Sequence, residues 1–277
     1  MKTAYTLILL SLLCIRCSTE SAKIEYGSHN GRFITINDRK IYVEEYGQGM
    51  PLLLFSGGGL HRSIQDFEKC IPDLSKKYRV IAPDTPGQGR SEQTDSLSYD
   101  LITSSMSQLL DSLNIDSAFV MGFSDGGIVA LMLAERRADK IKKIIAVGAN
   151  NGTCGFNLPE GFHLDSVKMP SVDQWAKWHE KDIEWYNAIT PKKDWRKMAA
   201  NLNGMWYGKE YFSMEVYDNL KIPVMIVLGD RDDISLEHGL EMHRLIKASQ
   251  FCVLPGTTHE VFSEKPDLIN RIATDFF

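Results

Sequence analysis

The sequence AFVMGFSDGGIVALMLA, residues 118–134, holds the pattern Gly-x-Ser-x-Gly with Ser124 at its centre. Residues 118–121 form a short, continuous apolar run of the kind that predicts a strand buried on both faces of a sheet. Residues 127–134 are rich in alanine and leucine and predict a helix. A serine on the sharp turn between such a strand and such a helix presents its hydroxyl at the C-terminal end of the sheet. The stretch therefore predicts an α/β protein in which Ser124 is a nucleophile.

The segments on either side of this stretch repeat the alternation of strand and helix. Residues 33–37 and 41–46 flank Asp38-Arg39 and predict a hairpin. Short apolar runs predict further strands at 51–55, 79–82, 141–147, 224–228 and 251–254. Apolar residues at helical spacing predict helices within 101–113, 240–246 and 268–276. Strands that alternate with helices predict a mostly parallel, eight-stranded sheet with helices on both faces.

One segment interrupts the alternation. Residues 151–219 contain no strand-like apolar run but hold all five tryptophans of the chain, interleaved with charged residues. We predict a helical cap at 151–219, inserted after the sixth strand and dividing the core into residues 24–150 and 220–277. Two interpretations of its aromatic residues remain open. The rings pack the insert together, or some of them, with Trp178 and Trp206 as the candidates, line an apolar pocket beneath the cap.

The charge of the chain argues against one class of partner. The 277 residues carry a formal net charge of -5 and include no block of five or more like charges. A nucleic-acid-binding protein would usually present a basic face, so no nucleic-acid partner is expected. His238 and His243 are five residues apart, which misses the four-residue spacing of paired zinc ligands on a helix. We expect no metal and no cofactor, and the oligomeric state is not readable from the sequence.

The N-terminus has the pattern of an export signal. Lys2 precedes a short apolar stretch at residues 7–15, well below the roughly 20 residues that span a bilayer. Polar residues follow at once, which favours a signal peptide at residues 1–17 over a buried N-terminal strand or helix. Cys17 stands where a bacterial lipoprotein carries its lipid, although Arg16 precedes it where such signals usually have a small residue. The protein is therefore expected to be exported. It is either periplasmic after simple cleavage or attached to the membrane of the cell envelope by a lipid at Cys17.

A serine hydroxyl is a weak nucleophile without a base, and the base needs an acid to orient it. His259 lies in a loop after the last predicted strand, from which an imidazole can reach the turn that holds Ser124. The sequence GDRDD after the preceding strand offers three acids. Asp232 is the preferred one, with Asp230 and Asp233 as alternatives. The chain order of the triad is then serine, aspartate, histidine.

An oxyanion formed during acyl transfer needs backbone donors. The N–H of Asp125, which follows the nucleophile, is one of them. The sequence SGGG at residues 56–59, after the strand predicted at 51–55, is expected to supply the second, with Gly58 as the candidate. Such glycines also occur in phosphate cradles, but no Gly-Lys-Ser/Thr follows them here.

Taken in order, these motifs resemble those of the α/β-hydrolase family. They are SGGG at 56–59, DTPGQGRS at 84–91, GFSDG at 122–126, GDRD at 229–232 and His259. The resemblance runs from about Phe33 to the end of the chain. It implies a serine hydrolase that forms an acyl-enzyme and uses no cofactor. Ser56 stands where the family usually has the histidine of a His-Gly pair, and Pro86 stands where it often has arginine.

A narrower resemblance concerns the acid after the nucleophile. GFSDGG at 122–127 and the sequence GAN at 148–150 are similar to the valacyclovir hydrolase (biphenyl hydrolase-like) group, which cleaves esters of α-amino acids. The resemblance implies that Asp125 holds the substrate ammonium. The alternative is that an acid at a helix N-terminus simply suits the helix dipole. The full set of predicted substrate contacts is Asp125, Gly59, Phe123, Trp178 and Trp206.

We therefore predict a serine hydrolase that cleaves a small carboxylic ester through an acyl-enzyme, with an amino-acid ester as the narrower prediction. Its partner would be a small-molecule ester substrate. A lactonase and a carbon–carbon bond hydrolase use the same triad, and the sequence does not separate them from an esterase. A non-catalytic protein that keeps the triad as a ligand site is the alternative from another class.

Overall fold

The computed structural model of the chain describes Gly27 and residues 30–157, 170–207 and 211–277. The predicted signal peptide at 1–17, with Cys17, lies outside these residues. Within the described ranges, no helix is both long enough and apolar enough to cross a bilayer.

Eight strands form a single sheet. They are β1 (Arg32–Ile36), β2 (Arg39–Tyr46), β3 (Met50–Phe55), β4 (Tyr78–Pro83), β5 (Ala118–Phe123), β6 (Ile141–Val147), β7 (Val224–Arg231) and β8 (Ser249–Thr258). Their order across the sheet is β1-β2-β4-β3-β5-β6-β7-β8. The pairs β1–β2 and β2–β4 are antiparallel, and the other five pairs are parallel. The predicted mostly parallel, eight-stranded sheet is confirmed.

The described residues form ten helices, and those that pack directly on the sheet lie on both of its faces. The ten helices are α1 (Ile71–Leu74), α2 (Tyr99–Ser112), α3 (Asp125–Arg136), α4 (Val172–Trp178), α5 (Glu180–Ile189), α6 (Trp195–Trp206), α7 (Glu215–Asn219), α8 (Leu236–Leu245), α9 (Val261–Glu264) and α10 (Pro266–Phe276). Short 3₁₀ turns lie at Ile64–Phe67 and Thr153–Gly155. Serine side chains cap two of the helices that flank the site, Ser98 at α2 and Ser235 at α8.

Successive residues of the central strands belong to two separate apolar clusters, one on each face. In β3, Leu53 and Phe55 pack with α2, α3 and α8, whereas Leu52 and Leu54 pack with α1, α9 and α10. Side chains alternate across a strand, so a strand covered on both faces must be apolar at every position. This is why the sequence shows continuous apolar runs rather than alternation.

The centre of the sheet contains the point at which the direction of the connections reverses. The chain goes from β3 to β4 on one side, and then returns to β5 on the other side of β3. The loops after β3 and β5 therefore diverge, which leaves a crevice at the C-terminal ends of these strands. Phe55, the last residue of β3, pairs with Gly122 of β5, so the loop after β3 starts beside the turn that carries Ser124.

Most boundaries differ from the sequence prediction by a few residues, and two of these differences have a clear physical reason. The hairpin turn lies at Asn37-Asp38, one residue earlier than predicted, and both residues have positive φ (48° and 61°). Asn and Asp tolerate this region better than Arg39 would, and a turn of this kind matches the twist of the flanking strands. The strand predicted at 251–254 extends over Ser249–Thr258, through Pro255, which is tolerated because β8 is an edge strand.

The helices α4 to α7 lie between β6 and β7, the position at which the sequence predicted an insertion. We refer to them as the helical segment. Several side chains of this segment bind the loop after β4. The Tyr186 hydroxyl donates to the Gly87 carbonyl (3.2 Å), and the Thr190 hydroxyl donates to the Gly89 carbonyl (2.9 Å). The helical segment is thus hydrogen-bonded to a loop of the sheet.

Candidate active site

Ser124 lies on the turn between β5 and α3. Its φ of 51° falls in the left-handed region, which residues other than glycine rarely adopt, and strain of this kind concentrates at functional sites. Its N–H donates to the Val147 carbonyl (2.7 Å), and its carbonyl accepts from the Gly127 N–H (2.8 Å) at the start of α3. A Cβ on Gly122 would lie 2.1 Å from the Gly126 carbonyl oxygen, so the turn needs glycine there. The backbone on both sides therefore holds Ser124 at the tip of a sharp turn.

Asp232 and His259 meet at the ends of β7 and β8. The Nδ1 atom of His259 lies 2.6 Å from Oδ1 of Asp232, whose side chain is completely buried. The carboxylate also accepts backbone hydrogen bonds from Gly229 (3.1 Å) and Ile234 (3.0 Å). Because a carboxylate only accepts, Nδ1 carries the hydrogen, and Nε2 of the neutral ring is an acceptor. This is the arrangement that prepares an imidazole to act as a base.

The two other acids considered in this loop are placed differently. The Asp230 carboxylate accepts from the Thr257 N–H (3.0 Å) and thereby joins the β7 loop to β8. Asp233 is exposed and lines the same cavity as Ser124. Of the three, Asp232 is the acid in direct contact with the His259 ring.

The His259 ring lies beside the nucleophile turn. A Cβ on Gly148 would come within 2.6 Å of its Cε1 atom, so the ring rests on the backbone just after β6. The preceding residue, Val147, is the one that accepts the hydrogen bond from Ser124. Ser124 and His259 both line a cavity of about 450 Å³. The structure therefore brings the predicted nucleophile, base and acid to one end of the sheet.

The electrostatic surroundings of His259 favour its protonated form. Burial by itself lowers the pKa of His259, but the hydrogen bond from its ring to Asp232 and the charge of that carboxylate raise it more. The charge of Asp233 also raises it, and the charge of Arg62 lowers it. The net result is a pKa of His259 above the usual value for histidine.

Asp125 forms the buried end of the cavity next to Ser124. Its Oδ1 accepts from the Tyr99 hydroxyl (2.7 Å), and its Oδ2 accepts from Nε1 of Trp206 (2.8 Å). Burial raises the pKa of Asp125, while the hydrogen bonds from Trp206 and Tyr99 oppose that rise. Both donors are neutral, so neither cancels the charge of the carboxylate.

The loop after β3 contributes Gly58 to the site. A Cβ on Gly58 would lie 1.7 Å from Oδ2 of Asp125, so only glycine lets this carboxylate approach the backbone. The neighbouring Gly57 N–H already donates to Oδ2 of Asp66 (2.9 Å). The existing hydrogen bond of Gly57 leaves the N–H of Gly58 as the better candidate for an oxyanion donor in this loop. The N–H of Asp125 belongs to the first turn of α3, where backbone donors have no intrahelical acceptor.

Of the predicted substrate contacts, Asp125 and Trp206 line the cavity, whereas Phe123, Gly59 and Trp178 are not among the described residues that line it. The Phe123 ring is buried in the core against Phe262, because it precedes the turn and belongs to the apolar cluster with α9 and α10. The Cβ direction of Gly59 leads toward the Arg62 side chain. Trp178 is 70% exposed at the end of α4.

The tryptophans of the helical segment thus divide between the two interpretations. Trp175 is buried and stacks on His179, with ring centroids 4.1 Å apart, so it packs the segment together. Trp206, at the end of α6, lines the cavity. One ring therefore packs within the segment, and another lines the cavity.

Sequence reasoning missed several residues of the cavity wall. Tyr99, at the start of α2, and Tyr211, after α6, line the cavity beside Asp125. No local pattern marks them, because their position depends on helix packing. Asn150 also lines the cavity. The sequence GAN at 148–150 was part of the narrower resemblance but gave Asn150 no role, although a place after β6, at the C-terminal edge of the sheet, could have indicated one.

No group of three or more His, Cys, Asp or Glu side chains is placed to hold a metal ion in the part of the chain that the structure describes.

Comparisons with known proteins identify the family of the chain. A family model described as alpha/beta hydrolase fold matches residues 50–206. A 2-hydroxy-6-oxo-6-phenylhexa-2,4-dienoate hydrolase from Burkholderia cepacia is 25% identical, over 90% of this chain and 96% of that protein. The serine hydrolase BPHL of Homo sapiens is 23% identical, over 88% of this chain and 84% of that protein.

A solved structure has the same fold. A meta-cleavage product hydrolase from Pseudomonas fluorescens IP01 superimposes with a TM-score of 0.69 at 25% identity. The superposition covers 89% of this chain and 97% of that one.

Proposed function

The chain belongs to the alpha/beta hydrolase fold family, and on this premise we propose that it is a serine hydrolase that cleaves a small carboxylic ester carrying a cationic group near the scissile carbonyl. The observation that carries the proposal is the buried carboxylate of Asp125 directly after Ser124, at the end of the cavity that holds His259. It favours a positively charged substrate, since an ammonium group could pair with the carboxylate.

In the proposed reaction, Ser124 attacks the ester carbonyl while His259 Nε2 takes the hydroxyl proton. The carbonyl oxygen becomes an oxyanion that accepts hydrogen bonds from the N–H groups of Gly58 and Asp125. The bond to the alkoxy group then breaks, and His259 gives its proton to the departing alcohol. A water molecule, with His259 again as base, releases the acid and restores the Ser124 hydroxyl. Asp232 keeps the imidazole in the tautomer that these steps need.

The charges of the cavity support an ester with a cationic group over the substrates of some relatives. The Burkholderia cepacia relative is named for a dienoate, which is a carboxylate. Of the described residues that line the cavity, Asp125 and Asp233 are acidic, His259 is the basic one, and none is lysine or arginine. A substrate carboxylate would meet two like charges there, which is unfavourable at short range. A carbon–carbon bond hydrolase remains the second candidate, because that relative aligns with 90% of this chain.

The test compares an amino-acid ester that carries an ammonium group with its uncharged N-acetyl derivative. We expect the ethyl ester of an α-amino acid to have a kcat/KM roughly ten to a hundred times that of its N-acetyl derivative, since hydrogen bonds to charged groups are worth about 1.5–3 kcal/mol. Asp125→Asn should abolish this ratio, whereas Asp233→Asn, the control at an exposed acid of the same cavity, should leave most of it. An equal kcat/KM for the two esters, unchanged in Asp125→Asn, would reject the cationic substrate.

A separate measurement tests the serine chemistry itself. A fluorophosphonate probe should label Ser124, and Ser124→Ala and His259→Ala should each abolish the labelling. Labelling without ester hydrolysis, together with cleavage of a dienoate, would favour the carbon–carbon bond hydrolase. Absence of labelling in the wild-type protein would support the non-catalytic ligand-binding alternative.

We further propose that the protein is exported, on the basis of the N-terminal sequence alone. Mass spectrometry of the mature protein distinguishes the two forms. A diacylglyceryl mass on Cys17 supports attachment to the membrane, and an unmodified N-terminus beyond Cys17 supports simple cleavage.

A further inference from the structure

A charged cluster lies beside the nucleophile turn, among side chains other than the triad. It consists of Arg62, Asp66 and Glu260, and we call it the Arg62 cluster. Nη1 of Arg62 donates to Oδ1 of Asp66 (3.3 Å) and to Oε2 of Glu260 (3.1 Å), and Nη2 donates to Oε1 of Glu260. The side chains of Arg62 and Asp66 are only 13% and 7% exposed. One guanidinium therefore holds two carboxylates that are 194 residues apart in the chain.

Each member of the Arg62 cluster is attached to a different part of the site. Asp66 accepts from the Gly57 N–H through its second oxygen (2.9 Å), which anchors the loop that contains Gly58. Glu260 directly follows His259 in the chain. The Arg62 guanidinium lies 4.9 Å from the centre of the Phe123 ring, and Phe123 directly precedes Ser124.

The Phe123 ring completes these connections. It lies 5.0 Å from the His259 ring, centroid to centroid, and a Cβ on Gly57 would lie 3.2 Å from its Cδ1 atom. Arg62 thus contacts three parts of the site. It reaches the loop of Gly58 through Asp66, the loop of His259 through Glu260 and the turn of Ser124 through Phe123.

Stability alone is a weak reason for such a cluster. Burial raises the pKa of Asp66, and although the Arg62 side chain and the Gly57 N–H lower it, the net pKa is about 6, so the ionised form is costly in this environment. Buried ion pairs are often no more stabilising than well-packed apolar side chains of similar size. The cluster lies between three loops that must be aligned for the proposed reaction, so it could serve to hold these loops in place.

We propose that Arg62 is a positioning residue, which aligns the loop of Gly58 and the loop of His259 with the turn of Ser124 and does not touch the substrate. The inference rests on the proposed hydrolase function. It predicts an effect on kcat rather than on KM, because a misplaced base or oxyanion donor weakens binding of the transition state more than binding of the ester.

The pH profile provides a readout that a purely structural role would not change. Several charged groups face His259: Asp232 and Asp233 from the loop after β7, Asp125 from α3, Arg62 from the loop after β3, and Glu260 beside it. The Arg62 charge lowers the pKa of His259, and the Glu260 charge acts in the opposite direction. Loss of either charge should therefore move the acidic limb of kcat/KM, in opposite directions.

The experiment measures kcat, KM, the pH profile and Tm for Arg62→Met, Arg62→Lys and Glu260→Gln, with a neutral ester as substrate. In Arg62→Met we expect kcat to fall about ten- to a hundredfold, KM to change by less than about threefold, and the acidic limb to move to higher pH. Arg62→Lys should recover part of kcat, because it restores the charge without the planar fork. Glu260→Gln should lower kcat less and move the acidic limb to lower pH.

The matched control is Arg137→Met. The Arg137 side chain is 16% exposed and also binds two carboxylates, Asp111 and Asp139, but it lies at the end of α3. Its loss should leave kcat and the pH profile unchanged.

A value of kcat within about twofold of wild type in Arg62→Met would overturn the proposal. So would a fall in kcat that is accompanied by a fall in Tm while the acidic limb of the pH profile stays in place. If Arg62→Met does not fold, Arg62→Lys and Glu260→Gln decide. Reduced kcat at unchanged Tm in either supports the proposal, and unchanged kcat in both rejects it. A wild-type protein that neither reacts with fluorophosphonate nor cleaves esters would instead reject the hydrolase function on which the inference rests.

Discussion

The loops at the end of the sheet and the helical segment both contribute residues to the same cavity, but the two regions differ in how deeply their residues are buried. The sheet contributes Ser124, Asp232 and His259, and in α3, which follows Ser124, ten of the twelve residues are buried. The helical segment contributes Trp206, whereas in α5 one residue of ten, Tyr186, is buried. Buried elements keep side chains within a narrow range of positions, and partly exposed helices can vary at lower cost. The candidate triad and Asp125 thus lie on closely packed elements of the core, whereas Trp206 belongs to a more exposed helical segment.

The sharpest test of this division is the nucleophile. Ser124→Ala should lower kcat by about 10⁵- to 10⁶-fold, because the remaining groups have no hydroxyl to activate. Tm should stay close to that of wild type, because the substitution removes a hydroxyl and leaves the packing around the turn unchanged. Ser263→Ala, at an exposed serine of α9, is the control and should not change kcat. Retention of more than about one hundredth of the activity in Ser124→Ala would place the reaction elsewhere.

The next effect concerns the acid of the triad. Asp232→Asn should lower kcat by about 10⁴-fold, because the amide favours the wrong tautomer of His259. Asp232 raises the pKa of His259, and the neutral ring is the active form, so activity of the wild type is lost as the pH falls through a pKa above the usual 6.5. Loss of the Asp232 charge lowers that pKa, and the acidic limb of kcat/KM should move to lower pH.

The control for this variant is the acid two residues earlier in the same loop. Asp230→Asn removes a carboxylate that binds the Thr257 N–H and does not contact the His259 ring, so its pH profile should match that of wild type. Equal losses of kcat in Asp230→Asn and Asp232→Asn would contradict the assigned triad.

A smaller effect is expected in the helical segment. Trp206→Phe keeps an aromatic ring but removes the N–H that binds Oδ2 of Asp125. The ratio of kcat/KM between the cationic ester and its N-acetyl derivative should fall about tenfold, in line with a hydrogen bond to a charged group. The kcat for the neutral ester should change by only a few-fold. Trp175→Phe, at a ring that packs on His179, should leave the ratio intact.

The smallest effect is expected where the two regions meet. Asp182 of α5 lies 3.3 Å from Nδ1 of His61, in the loop after β3, and 2.7 Å from Nδ1 of His179. These side chains are partly exposed, so Asp182→Asn should lower the free energy of unfolding by less than about 1 kcal/mol and leave kcat within about twofold.

The pH dependence of this contact has a definite sign. Burial lowers the pKa of His61 below its unfolded value of about 6.5, and the Asp182 charge opposes that shift. The unfolded chain therefore binds the proton more readily, and His61 costs stability as the pH falls below about 6.5. In Asp182→Asn the fall in Tm between about pH 7 and pH 5 should exceed that of wild type. A smaller fall in the variant would show that other groups dominate.

Much of the fold could be predicted because its signals are local. The strand at Ile141–Val147 has the predicted bounds, and the remaining predicted strands and helices all occur with boundaries shifted by a few residues. The period of apolar residues depends only on the geometry of a single helix or strand, so it is readable without knowledge of its neighbours. Ser124 was readable for the same reason, since the turn that presents it is built from adjacent residues.

Side-chain neighbours across the fold were not readable in this way. Asp230, Asp232 and Asp233 share one short stretch of sequence, and only the pairing of β7 with β8 decides which of them reaches His259. Trp178 and Trp206 likewise both lie in the helical segment, and the sequence does not distinguish them. In the structure, Trp178 is exposed to solvent and Trp206 lines the cavity.

The sequence by itself thus determined the alternating elements, the strained serine and the order of the three reacting groups. The tertiary structure alone decided which acid contacts the His259 ring, which tryptophan lines the cavity, and that Arg62 joins residues 66 and 260. The physical reason is that periodicity is a property of neighbouring residues, whereas a hydrogen bond between residues 62 and 260 exists only after the sheet has assembled and its loops have been brought together.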